Sequence, residues 1–178
     1  MPIQVVLMVG AKLLDSRRPI ARVAAMKSPL VPAILLAAFC HIASAYDVPG
    51  AKPIDKLDGE VAKAIAAKKL ICIVYTGSDE SCPHCAAAAL NGVKAVRGSA
   101  EAVVIKEAQA KDKAFAAKFT PAVREMLAKQ PTGAWVSFNV YDPEMKTLIA
   151  SIGRPLETDK NATKEFTAKV KAAKAEVK

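Results

Sequence analysis

Aromatic residues make up only 5% of the 178-residue chain, as one Trp, three Tyr and five Phe. A core short of aromatics has to be assembled from alanine and branched aliphatic side chains, which implies a helix-rich, lightly built interior. The lysines are spread along the chain with no basic cluster interleaved with aromatics, so although the net charge is +9, no nucleic-acid role is expected. Histidine occurs twice and cysteine four times. Only His84 lies beyond the N-terminal apolar segment, and with Cys72 expected to be buried too few ligands remain for a closed four-ligand zinc site. No apolar run approaches the roughly 20 residues that cross a bilayer. No internal repeat and no second domain are visible. What remains, 52% apolar and 24% charged residues, is the composition of one globular domain.

The N-terminus reads as export machinery. Lys27 precedes a short apolar run, Pro29 to Phe39, and Ala43-Ser44-Ala45 offers small residues for cleavage before Tyr46. Residues 26–45 are therefore expected to be a signal peptide starting at Met26, and residues 1–25 a long leader or a misassigned extension. Cys40 is lost with the signal. The mature domain, 46–178, carries 21 Lys plus Arg against 16 Asp plus Glu, a net +5. It is expected in the periplasm or secreted, meeting a membrane only during export.

The chemistry concentrates between Leu70 and Val96. The continuous apolar run Leu70-Ile71-Cys72-Ile73-Val74-Tyr75 predicts a strand buried on both faces, with Cys72 as a small hydrophobe. A polar turn, Thr76-Gly77-Ser78-Asp79-Glu80-Ser81, leads to Cys82-Pro83-His84-Cys85 and an alanine-rich helix that Gly98 can end. The first turn of a helix has unpaired N–H groups and the positive end of the dipole, and both favour a thiolate. Cys82 is thus read as the reactive sulfur and Cys85 as its partner. Pro83 suits a first turn, where a missing N–H costs nothing. His84 adds a donor and partial positive charge beside the sulfurs.

Elsewhere the spacing predicts a helix over Ile54–Lys69, with Ile54, Leu57, Val61, Ala64 and Ile65 inward, and a short strand at Ala102–Ile105. A helix or helix pair follows over Lys111–Lys129, broken at Thr120-Pro121 and striped by Phe115, Phe119, Val123 and Leu127. Strands at Ala134–Val140 and Thr147–Ser151 form a hairpin, and a last helix starts at Thr158 or Asp159.

The order strand, CxxC, helix, and later Pro131-Thr132 before another strand, resembles the thioredoxin superfamily. Cys82-Pro83-His84-Cys85 is similar to the tetrad of DsbA-type oxidases, and Thr76-Gly77-Ser78-Asp79 to the turn of exported thioredoxin-like proteins. The resemblance implies an α/β fold of three layers, a mixed sheet with a C-terminal antiparallel hairpin and helices on both faces. It implies a cis peptide before Pro131, with Gln130 and Thr132 lining the substrate groove. The chain departs from the family in having Glu80-Ser81 where an aromatic precedes the first cysteine, and Gly133 after Thr132. It also has no acid in Leu70–Tyr75 to take the proton of Cys85; Asp79 and Glu80 are the acids nearest in sequence. The implied activity is thiol–disulfide exchange with protein substrates and a redox partner protein, with no cofactor. A thioredoxin-like reductant and a Cu(I)- or zinc-binding relative are the alternatives.

Overall fold

A computed structural model describes residues 48–79, 81–156 and 158–177; the expected leader, the signal peptide and Cys40 lie outside the described residues. In chain order the elements are β1 (Lys52–Pro53), a 3-10 turn (Ile54–Lys56), α1 (Leu57–Ala66), β2 (Leu70–Thr76), α2 (Pro83–Val96) and β3 (Ala100–Lys106). Then come α3 (Glu107–Lys111), α4 (Lys113–Ala116), α5 (Pro121–Ala128), β4 (Val136–Tyr141), β5 (Leu148–Ile152), a second 3-10 turn (Arg154–Leu156) and α6 (Lys160–Glu176).

The strands form one mixed sheet in the order β1-β3-β2-β4-β5. All seven residues of β2 are buried, as a nearly unbroken apolar strand requires: it lies at the centre, parallel to β3 and antiparallel to β4. β4 and β5 form the expected antiparallel hairpin, with an irregularity at Val140 and Tyr141. Alternation along β2 divides the core in two. Leu70, Cys72 and Val74 face α2 and α6, joined by Val136, Phe138, Val140, Phe166 and Val170. Ile71, Ile73 and Tyr75 face α1 and α5, joined by Val103, Phe119, Val123 and Leu127. The protein is therefore α/β, a five-stranded mixed sheet with helices on both faces.

Local signals account for most boundaries. Thr120 Oγ1 accepts from the Val123 N–H at 3.4 Å and Pro121 opens α5, so the break in the Lys111–Lys129 segment is a capped helix start. Asp159 Oδ1 accepts from Asn161 and Ala162 N–H groups, both at 2.9 Å, and opens α6. The helix expected over Ile54–Lys69 is shorter. It begins as a 3-10 turn and ends at Ala66, because Lys68 turns into the left-handed region (φ 51°) to feed β2. Ile65 is left 54% exposed rather than inward. β1 was not legible: two residues pairing with Val103 and Val104 have no periodicity.

Candidate active site: a dithiol at a helix N-terminus

The turn between β2 and α2 is held in place from the neighbouring loop. Gly77 N–H donates to the Trp135 carbonyl at 2.8 Å, and a Cβ on Gly77 would stand 1.8 Å from the Gly133 carbonyl oxygen, so only glycine passes here. Ser78 N–H and Gly133 N–H both donate to one oxygen of Glu107, at 2.8 and 3.0 Å. That carboxylate is buried and its other oxygen is paired with Lys111. The Lys111 ammonium, then the Gly133 and Ser78 N–H groups, hold the Glu107 carboxyl down at about 2. One buried charge thus ties the turn before the cysteines to the loop before β4.

Asp79 Oδ1 accepts from the Ser81 N–H at 3.0 Å and from its hydroxyl at 2.7 Å, closing a tight turn. Cys82 then takes the N-cap position of α2. Its sulfur accepts from the Cys85 N–H at 3.2 Å, its carbonyl accepts from Ala86 N–H at 3.1 Å, and Pro83 follows in the first turn. The sulfur of Cys82 therefore does what a serine or aspartate oxygen does at other helix starts.

Cys82 is 9% exposed and Cys85 fully buried, whereas Pro83 and His84 lie on the surface. Both cysteines are free thiols, as is Cys72, buried in β2. Burial, then the hydrogen bond and charge of Cys82, push the Cys85 thiol well up. Arg154 works in the opposite direction and Asp79 adds to the rise. Arg154 comes from the 3-10 turn after β5, which packs on α2 where Asn91 Nδ2 donates to the Leu156 carbonyl at 3.2 Å.

The structure brings together Cys82, Pro83, His84 and Cys85, with Asp79 close enough to act on Cys85. Glu80 lies outside the described residues. The peptide before Pro131 is trans, which corrects the expected cis bond. The intrinsic preference of X-Pro bonds for trans, about 0.5–1 kcal/mol, is unopposed in this loop, where Pro131 stands five residues before β4 begins. The Pro131 carbonyl accepts from Tyr75 Oη at 2.8 Å. Gln130 Nε2 donates to the Met126 carbonyl at 3.3 Å, and its Oε1 accepts from the Ser137 hydroxyl at 2.6 Å. Tyr75 and Met126 belong to the core on the α5 side, and the two thiols to the core on the α2 side. Thr132 is exposed.

Glu107 and Arg154 are the site residues that sequence reasoning missed. Among the described residues no cluster of three or more His, Cys, Asp or Glu is arranged to hold a metal ion. No described helix is long and apolar enough to cross a membrane. Comparison of the chain with protein-family models, with curated proteins and with solved structures finds no match.

Proposed function

We propose that this protein is an exported thiol–disulfide oxidoreductase with a thioredoxin-like fold. The observation that carries the reading is the dithiol itself: Cys82 as a sulfur N-cap, hydrogen-bonded to the backbone of a buried Cys85, at the end of the central strand. A parallel β2–β3 pair beside an antiparallel β4–β5 hairpin, with helices on both faces, supports the fold assignment. The signal peptide expected from the sequence of residues 26–45 supports a periplasmic or secreted location, where disulfides persist.

In the reducing direction the Cys82 thiolate attacks one sulfur of a substrate protein disulfide. That bond breaks, a mixed disulfide forms, and the departing thiolate takes up a proton. Cys85, which burial keeps protonated, then gives up its proton and attacks the Cys82 sulfur. The mixed disulfide breaks, the second substrate thiol leaves, and the Cys82–Cys85 disulfide closes, two electrons having passed to the substrate. In the oxidising direction the same steps run backwards. A redox partner protein returns the pair to its starting state.

The test is a pair of variants. Cys82→Ser is expected to abolish exchange, and Cys85→Ser to accumulate mixed disulfides with substrate proteins; exchange retained in Cys82→Ser would sink the proposal. Equilibration with glutathione buffers then sets the direction. A reduction potential near about −120 mV marks a strong oxidant and one near about −270 mV a reductant. Stoichiometric metal with no redox cycling would replace both with a soft-metal site on the two thiols.

A further inference from the structure

The two edges of the sheet are built differently. β1 is two residues long, and these are Lys52 and Pro53, residue types that discourage another strand from pairing. β5, at the opposite edge, is Leu148-Ile149-Ala150-Ser151-Ile152, without charge, proline or glycine. No described segment pairs with its outer side, and Leu148 is 43% exposed. Grooves run along both faces of this edge. One, of about 300 Å³, lies between β5 and α6, and the other, of about 450 Å³, between β5 and α5.

The rim of the first groove carries a further signal. Glu165 and Lys169 line it, both exposed, four residues apart on α6. Acid and base at this spacing ordinarily join across one helical turn. At the end of α5 they do, with Glu125 and the C-cap residue Lys129 2.7 Å apart at the second groove, but Glu165 and Lys169 hold no ion pair among the described residues. An adjacent acid and base that leave each other free are complementary to their own reversed copy.

We propose that β5 pairs antiparallel with β5 of a second copy of this chain, about a two-fold axis beside Ser151, making one continuous sheet of ten strands. A two-fold normal to the sheet keeps each side chain on its own face, so Ile152 meets the partner's Ala150 without a change of pleat. It also sets α6 against its copy in the reverse direction, so that Glu165 faces the partner's Lys169 twice over. An unrelated extended peptide could pair with the β5 backbone but would not supply those charges. The dimer is independent of the thiol chemistry and is read by a separate assay.

The test is sedimentation velocity of the full chain over a concentration series. A species of twice the 18.8 kDa protomer mass is expected. Leu148→Lys, which places a charge on the edge, should give a monomer. Glu165→Lys should weaken the dimer by about tenfold or more, and Glu165→Lys with Lys169→Glu should restore it. Circular dichroism melts check that each variant is folded. A monomer at every concentration overturns the proposal, as does a dimer indifferent to Leu148→Lys and to the charge exchange. Protection of the β5 amides only when an unfolded, disulfide-bearing peptide is added also overturns it, by assigning the edge to a client strand.

Discussion

Removing the Glu107 side chain should loosen the approach to the dithiol without touching a cysteine. One oxygen of the buried carboxylate takes both the Ser78 and Gly133 N–H groups, and hydrogen bonds to charged acceptors contribute roughly 1.5–3 kcal/mol each. Glu107→Ala takes the charged acceptor from both donors, and since Ser78 is exposed and water can take its N–H, the expected loss is about 2–4 kcal/mol, still a large share of a typical total of about 5–15 kcal/mol. The Lys111 end is more than half exposed and adds less than about 1 kcal/mol. Glu107→Gln keeps an oxygen for both donors and should lose only about 1–2 kcal/mol at neutral pH. The pH dependence then separates charge from shape. Folding lowers the carboxyl from the ordinary value of 4.5 to about 2, so its stabilisation is fully present above about pH 4.5 and is lost as the pH falls through about 2. The gap between the wild-type protein and Glu107→Gln should therefore close as the pH drops from about 5 to about 2. Urea unfolding at fixed protein concentration measures it. A gap that stays constant over that range, or a Glu107→Ala loss below about 1 kcal/mol, would refute the assignment of Glu107 as the tie between the two loops.

Two further outcomes are expected. Arg154→Gln removes the positive charge that opposes the rise of the Cys85 thiol, so the resolving step should slow and the mixed disulfide persist longer at neutral pH. Arg154 is exposed, so the effect should stay within roughly twofold to fivefold and vanish in high salt; stopped-flow rates unchanged at low salt would contradict it. Gly92→Ala, which would stabilise an exposed helix by about 1 kcal/mol, should here destabilise by about 1–3 kcal/mol. The added methyl would lie 2.1 Å from the buried Phe138 ring, and a raised melting temperature would show that α2 and β4 are not packed this closely.

What was legible in the sequence is what chain neighbours decide. The apolar run from Leu70 predicts a central strand because only a strand covered on both faces tolerates it, and β2 is fully buried. The placement of Cys82 and Cys85 on a first helical turn follows from Pro83 and the alanines after it. Thr120-Pro121 and Asp159 announce α5 and α6 through side-chain oxygens that reach only two or three residues ahead. Glu107 announces nothing, because its partners Ser78 and Gly133 lie 29 and 26 residues away and read as loop backbone. Arg154 reaches the dithiol through the turn after β5, a neighbour of α2 only once the hairpin has folded back. The expectation at Pro131 failed for the same reason. Resemblance supplied a loop proline before a strand, whereas the end of α5 and the Tyr75 hydroxyl decide how the loop runs. The two thiols at the start of α2 can therefore be read from a four-residue tetrad. The charges that act on them, Arg154 on Cys85 directly and Glu107 through the loops it ties, come from segments that only the folded sheet brings near.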